Sequence, residues 1–252
     1  MGVPDWGVPA WAWPLAAAPF VGSFLGVLVT RLPQERTVVW GRSACPACGH
    51  GLGACDLVPV LSWAALGGRC RHCGARIHLL YPAMELGAFG VAAWAAALGS
   101  GPFLWASCGL GWALLALAVI DARDGLLPDV LTYPLMLAGP PVTALLEPDA
   151  VYDRAIGAAA GFGVFWLLAL AYRRLRHREG LGLGDAKLLA AAGAWLGWQP
   201  LPSVVLVAAV AGLSWVLALR AIGRRLALDT ELALGPGLCL GFWLVWLYGP
   251  LQ

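Results

Sequence analysis

The sequence has few charged residues. Asp, Glu, Lys and Arg make up 12% of it, whereas a soluble domain carries about 25%. Hydrophobic residues make up 60%, and the mean hydropathy is +0.77. Because so few polar side chains cannot cover a globular surface, most of the surface must face lipid. The composition excludes an ordinary water-soluble globular protein and predicts an all-α polytopic membrane protein.

The sequence also lacks the charged start of a secretory signal. No basic residue precedes the first apolar stretch, residues 9–29, and Asp5 is the only charge before Arg31. Because a secretory signal begins with positive charge, we expect this stretch to be a retained membrane span. There is no internal repeat, no low-complexity tail and no dinucleotide-binding glycine pattern after a strand.

Apolar stretches long enough to cross a bilayer, about 17–25 residues, recur along the chain. They predict about eight transmembrane helices, near residues 10–30, 79–98, 102–120, 129–146, 153–172, 186–199, 201–220 and 233–250.

The basic residues are unevenly divided among the connections between these stretches. If the connections at 31–78, 121–128, 173–185 and 221–232 are cytoplasmic, all of the 16 basic residues except Arg154 lie in or beside them. Cytoplasmic loops are enriched in Lys and Arg. We therefore predict a multi-pass protein whose two termini are non-cytoplasmic and whose 31–78 insert is cytoplasmic.

The 31–78 insert carries two CxxC pairs, in which a Gly follows each second Cys. Four thiolates at this spacing can surround one tetrahedral ion, and the spacing is close to that of a zinc ribbon. We expect a small zinc-ribbon-like, tetra-cysteine insert whose structural Zn supplies folding energy. The predicted ligands are Cys45, Cys48, Cys70 and Cys73.

Two alternatives to a metal site stay open for these cysteines. They could form two disulfides or remain four free thiols, although a reducing cytoplasm disfavours disulfides. His50, His72 and His78 could be spare ligands, but four Cys already complete a closed site, so we expect ordinary surface or hydrogen-bonding histidines.

Two acidic residues stand at the ends of predicted spans. Asp121 follows an apolar run that ends at Ile120, and Asp185 follows Gly184 at the start of the 186–199 stretch. The distribution of basic residues places both at the cytoplasmic boundary, where helix packing can bring them face to face. Ionisable residues at such positions are energetically costly and indicate function.

Two facing carboxyl groups cannot easily both ionise, so such a pair shares a proton. The ionised member can activate water, and the protonated member can polarise a peptide carbonyl, which is the chemistry of aspartyl proteolysis. Gly182 and Gly184 would let an extended substrate backbone approach closely, because no Cβ intervenes.

The residues alone leave alternatives to this chemistry. Asp185 can be a helix cap, Asp121 can pair with Arg123, and Asp124 or Asp129 can compete for the role of Asp121. At the level of the whole protein, a transporter with an aspartate proton relay and a non-enzymatic assembly factor of a secretion system are further hypotheses.

The strings around these residues resemble the bacterial type IV prepilin peptidases, which are membrane aspartyl proteases of the GxGD type. The resemblance runs from about residue 20 to residue 245. The segment 234–237 only loosely follows the family's usual Pro-Phe-Gly-Pro. The matching strings, in the family's order, are Gly22-Ser23-Phe24-Leu25 with Arg31-Leu32-Pro33, the paired CxxC, Asp56-Leu57-Val58-Pro59, Tyr81-Pro82 with Glu85, Asp121 through Leu127-Pro128-Asp129, and Gly182-Leu183-Gly184-Asp185-Ala186-Lys187.

The resemblance implies an aspartic endopeptidase of the inner membrane with Asp121 and Asp185 as catalytic residues. It further implies cleavage of the leader of type IV prepilins or pseudopilins, followed by methylation of the new N-terminal amine with S-adenosylmethionine. The expected partners are these substrates and the lipid bilayer, and we expect no nucleic acid.

The resemblance also divides the chain and assigns further residues. We predict a first transmembrane helix at 1–30, a methyltransferase-associated insert at 31–78 and a transmembrane peptidase core at 79–252. The predicted substrate-binding residues are Gly182 and Gly184, which shape the backbone slot, Glu85, which contacts the positive charge of the leader, and Lys187, which tunes the aspartate pair or binds phosphate headgroups.

Overall fold

The computed structural model describes residues 9–38, 43–176, 182–223 and 233–251. Over these residues the chain is helical, and its β-structure consists of two isolated bridges in the insert. The all-α prediction is confirmed. The α-helices of the described residues are α1 (Ala12–Arg31), α2 (Leu61–Ala65), α3 (Leu80–Leu98), α4 (Gly101–Asp124), α5 (Asp129–Leu146), α6 (Val151–Arg176), α7 (Leu183–Leu196), α8 (Leu201–Ala221) and α9 (Gly235–Tyr248).

Each predicted span coincides with one of these helices, and only the short α2 lies within the insert. By length and composition, four of the described helices can cross a membrane, namely α1, α4, α6 and α8, with adjoining turns at α1 and α6. Helices α7 and α9 have 14 residues each, or about 21 Å of length against a hydrocarbon core of about 30 Å. That eight helices cross the membrane stays a prediction.

The predicted orientation of the termini and of the insert also stays a prediction. Four of the basic residues on which it depends lie outside the described residues, namely Arg42, Arg178, Arg224 and Arg225.

The chain divides into two compact units, Met1–Trp112 and Ala113–Gln252. The predicted division at residues 30 and 78 stays a prediction.

In the first unit, α1 and α3 run antiparallel and pack closely through glycines of α1. A Cβ on Gly22 would lie 2.5 Å from the Cα of Glu85, and a Cβ on Gly26 would lie 3.1 Å from the ring of Tyr81. Small residues allow such close approach between membrane helices. These contacts set the register of the two helices.

In the second unit, α7 is the central helix. Residues 188–196 are all buried, and a helix that is apolar on every side suits such a position. Gly157 of α6 and Gly193 of α7 lie so close that a Cβ on either would overlap the backbone of the other helix. The indole Nε1 of Trp195 donates a hydrogen bond to the carbonyl of Leu135 in α5 over 2.7 Å. These contacts hold α7 in place, and with it the turn at its N-terminus.

Candidate active site and cysteine cluster

Asp121 lies in the last turn of α4, and only 6% of it is exposed. The helix ends at Asp124 because Gly125 adopts φ +64°, the left-handed conformation that commonly ends helices. Gly235, the first residue of α9, donates its backbone N–H to Oδ2 of Asp121 over 3.0 Å. The first N–H groups of a helix lack partners within the helix and carry partial positive charge. The start of α9 is therefore a suitable partner for this carboxyl group.

Gly235 fits beside Asp121 because it has no side chain. A Cβ at this position would lie 2.5 Å from Oδ2 of Asp121. Along α9, Gly237 and Gly241 allow the helix to approach the backbone of α8. This packing holds the Gly235 N–H at a defined place against the carboxyl group. The sequence alone did not reveal this role of Gly235. The one hint in the sequence was that segment 234–237, which contains Gly235, loosely resembles the family's Pro-Phe-Gly-Pro.

Asp185 lies in the first turn of α7 and is half-buried. The turn before it begins at Gly182, which is exposed and has an extended backbone, with φ −71° and ψ 141°. Gly184 faces Leu127, so that a Cβ on Gly184 would lie 3.0 Å from the Cβ of Leu127. The turn that precedes Asp185 therefore contacts the turn that follows Asp121.

The structure brings the two carboxyl groups together. The charges of Asp121 and Asp185 lie close enough to affect each other. Gly235 of α9 binds Asp121, and Gly184, next to Asp185, faces Leu127. Helices α4, α7 and α9 thus converge on one acidic pair in the second unit.

The side chain of Lys187, one turn into α7, contacts Asp129 and Tyr133. Its Nζ donates to Oδ1 of Asp129 at the start of α5 over 2.6 Å. It also lies 5.2 Å from the centre of the Tyr133 ring, within the range of a cation–π contact. The ion pair joins α7 to α5 beside the turn that carries Asp185. Asp129, which the sequence left as a competitor of Asp121, is occupied by this contact.

Glu85 lies in the first unit, and 6% of it is exposed. Its Oε2 accepts a hydrogen bond from the backbone N–H of Val60 over 2.7 Å. Glu85 thus ties the insert to α3. The expected contact between Glu85 and the positive charge of a leader stays a prediction.

The two CxxC segments fold into matching knuckles. In each, the N–H of the first Cys donates to a carbonyl of the following turn, over 2.9 Å at Cys45 and 2.8 Å at Cys70. Gly49 and Gly74 both adopt φ +69°, a left-handed conformation that favours glycine. The knuckles bring four sulfurs within 4.8 Å of one another, those of Cys45, Cys48, Cys70 and Cys73.

The spacing of the sulfurs fits a metal better than a disulfide. The Sγ atoms of Cys45 and Cys73 are 3.8 Å apart. A tetrahedron with Zn–S bonds of about 2.3 Å has edges of about 3.8 Å, whereas a disulfide bond is about 2.0 Å long. Four thiols in this arrangement can hold a metal ion.

Polar contacts around the cluster support the insert. The guanidinium of Arg71 lies 2.9 Å from Oδ1 of Asp56 and holds the pKa of that carboxyl below its usual range, together with the N–H of Gly53. The rings of His50 and His72 face each other with centroids 3.5 Å apart. Neither histidine belongs to the four-sulfur group found among the described residues.

Comparisons with known proteins identify the family of the chain. Residues 17–98 match the bacterial peptidase A24 N-terminal domain, and residues 108–217 match the type IV leader peptidase family. The prepilin leader peptidase/N-methyltransferase of Burkholderia pseudomallei (strain 1026b) is 43% identical over 88% of this chain and 80% of its own length. Enzymes of the same name from Aeromonas hydrophila and Pseudomonas aeruginosa are 38% and 36% identical over 91% of this chain and 87% of their own lengths. No solved structure matches the chain. Taken with the helices, the acidic pair and the four-sulfur cluster, these matches show that the chain belongs to the type IV leader peptidase family.

Proposed function

We propose that this protein cleaves the leader peptide of type IV prepilins or pseudopilins at the cytoplasmic boundary of the inner membrane, with Asp121 and Asp185 as the catalytic pair. The observation that carries the proposal is the packing around the two aspartates in a chain of this family. The Gly235 N–H binds Asp121, and the turn before Asp185 packs through Gly184 against Leu127, which follows Asp121 along the chain. Its apolar helices and its family make the chain an inner membrane protein. The names of its relatives support leader cleavage and N-methylation.

The mechanism follows from a shared proton. With one carboxyl ionised and the other protonated, the ionised group accepts a proton from water while the water oxygen attacks the scissile carbonyl carbon. The protonated group donates its proton to the carbonyl oxygen. The tetrahedral intermediate then collapses, the C–N bond breaks, and a proton passes to the leaving amine. The Gly235 N–H holds Asp121 in position throughout.

Gly182 and Gly184 suit the role of a backbone slot. Gly182 is exposed and extended directly before Asp185, so that a substrate strand could lie along it without meeting a Cβ. Lys187 is better suited to fixing this turn than to binding headgroups, because its ammonium already pairs with Asp129.

The second half of the proposed function is methylation of the new N-terminal amine, with S-adenosylmethionine as the donor. We assign this half to the insert and a structural zinc ion to its four sulfurs. Zinc bound there would join the two knuckles by four thiolate bonds and contribute folding energy. Besides the ring contact between His50 and His72, the described backbone hydrogen bonds of the knuckles lie within one knuckle or the other.

A cleavage assay tests the catalytic pair. Detergent-solubilised protein is incubated with a prepilin and S-adenosylmethionine, and a leader-length mobility shift is followed with a mass measurement of the mature N-terminus. We expect Asp121→Asn and Asp185→Asn each to lower the rate by at least about 10²-fold, the usual scale for loss of an acid–base group. Asp124→Asn is the matched control, because Asp124 is exposed at the end of the same helix.

The outcomes separate the competing hypotheses. A proton-relay transporter or an assembly factor would produce no leader-length shift with the wild type. If the wild type cleaves and both Asn variants cleave equally fast, the peptidase is another part of the chain and the assignment of the pair is wrong. A mature product without the added methyl group would contradict only the second half of the proposal.

A further inference from the structure

The insert of the first unit carries an apolar surface that its metal site does not explain. Leu57, Val58 and Leu61 expose 41%, 40% and 68% of their surface. The two alanines that end α2 are exposed as well. An exposed group of apolar residues this close together indicates a binding surface for a protein or a membrane.

The backbone beside this surface is held alongside α1 and α3. The Val60 N–H donates to Glu85 in the second turn of α3, and helical side chains point toward the start of their helix. Val60 therefore lies beside the first turns of α3. Glu85 in turn faces Gly22, which is roughly 13 Å along α1 from Arg31 at about 1.5 Å of rise per residue. The segment 57–61 thus folds back along the α1–α3 pair.

The backbone of the segment is constrained to keep this position. Val60 adopts φ +60° and ψ −48°, and a positive φ is rare for a β-branched residue. Its N–H donates a hydrogen bond of 2.7 Å to the buried carboxyl group of Glu85. The two observations together indicate that the segment is held in one position against α3.

The surroundings indicate which partner covers the apolar surface. The helices that hold it also expose apolar residues, among them Leu79 at the start of α3 and Phe20 and Phe24 on α1, a helix that can cross a membrane. The same unit carries the basic residues Arg31, Arg69 and Arg76, and such residues attract anionic lipid headgroups. Exposed apolar side chains together with Arg are typical of an interfacial element.

We propose that segment 57–61, together with α2, is an interfacial membrane element whose Leu57, Val58 and Leu61 side chains enter the acyl-chain boundary of the bilayer, with Glu85 as its tether. The occupant of the apolar surface is lipid. As a consequence, the four-sulfur cluster is docked on the membrane beside α1 and α3. This inference concerns membrane contact and does not depend on the proposed catalytic function.

Photochemical labelling in a bilayer tests the proposal. The full chain, with a photoactivatable diazirine amino acid at position 61, is placed in nanodiscs of phosphatidylethanolamine and phosphatidylglycerol with deuterated acyl chains. After irradiation, mass spectrometry of the peptide that contains position 61 distinguishes lipid, water and protein adducts. In a separate variant, the same label at position 20, in place of Phe20, gives the adduct expected for contact with lipid. In another, the label at position 36, in place of Arg36, which is exposed just beyond α1, gives the adduct expected for contact with water.

We expect deuterium-bearing acyl adducts at position 61 as at position 20. Water adducts alone, or cross-links to another part of the chain, would overturn the proposal.

The tether is tested with the same label in Glu85→Ala and Glu85→Gln. The Ala variant should lose most of the acyl adduct, whereas Gln, which keeps a hydrogen-bond acceptor, should retain it. Zinc content and the gel-filtration profile report whether each variant is folded, and an unchanged adduct yield in folded Glu85→Ala would refute the tether.

Discussion

Gly235→Ala is expected to impair cleavage without unfolding the protein. The added Cβ would lie 2.5 Å from Oδ2 of Asp121, whereas ordinary contacts begin at 3.4 Å. Either the carboxyl group or α9 must move by about 1 Å, and α9 is held against α8 by Gly237 and Gly241. The displacement therefore falls mainly on Asp121. A misplacement of about 1 Å at a reacting group can cost on the order of 10²-fold in rate, or about 2.7 kcal/mol of barrier.

The assay is steady-state cleavage of a prepilin in detergent. We expect kcat to fall about 100-fold while KM stays within a small factor, because the substrate slot is untouched. Gly212→Ala is the matched control, since a Cβ at that position of α8 meets nothing within 4 Å and Ala favours a helix by about 1 kcal/mol over Gly. If folded Gly235→Ala cleaves within about threefold of the wild type, the proposed positioning of Asp121 is wrong.

Four further substitutions probe the packing and the insert. Gly193→Ala should lower the free energy of unfolding by about 1–3 kcal/mol or more, because its Cβ meets the backbone of Gly157; a thermal melt in detergent that matches the wild type would contradict this. Lys187→Met and Asp129→Asn should each cost less than about 1 kcal/mol, since this ion pair is partly exposed, and a double-mutant cycle should give a coupling of the same size; a larger coupling would show that the pair is more than a surface contact. Cys48→Ser should reduce bound zinc well below about one ion per chain, measured by metal analysis, and an unchanged zinc content would remove the assignment of zinc to the four sulfurs.

Much of the architecture could be predicted from the order of residues. The helices follow from runs of apolar residues, since a chain in lipid must satisfy its backbone hydrogen bonds within each segment. The four sulfurs follow from the CxxC spacing, because two short knuckles place their thiols by local geometry. The positions of Asp121 and Asp185 at helix ends likewise follow from where the apolar runs stop and start.

Contacts between distant segments could not be predicted in this way. The likeness of segment 234–237 to Pro-Phe-Gly-Pro does not indicate which residues lie near that segment in space. The hydrogen bond from Gly235 to Asp121 therefore could not be predicted. The pairing of Lys187 with Asp129, which comes from packing of α5 against α7, was not expected. The hydrogen bond that Glu85 accepts from the Val60 N–H was not expected either. The proposed roles of both residues toward substrate stay predictions. In each case the partner lies far along the chain, where local propensity carries no information.

The acidic pair illustrates the division between sequence and tertiary structure. Composition, hydropathy and motif spacing established a polytopic helical protein of a recognisable family, with an aspartate at the end of one helix and another at the start of a second. That those carboxyl groups interact, and that a glycine N–H from a third helix binds one of them, depends on how closely the helices approach. Helix approach in lipid is set by van der Waals contact between small residues such as Gly157, Gly193 and Gly241, and this complementarity exists only once the helices are packed.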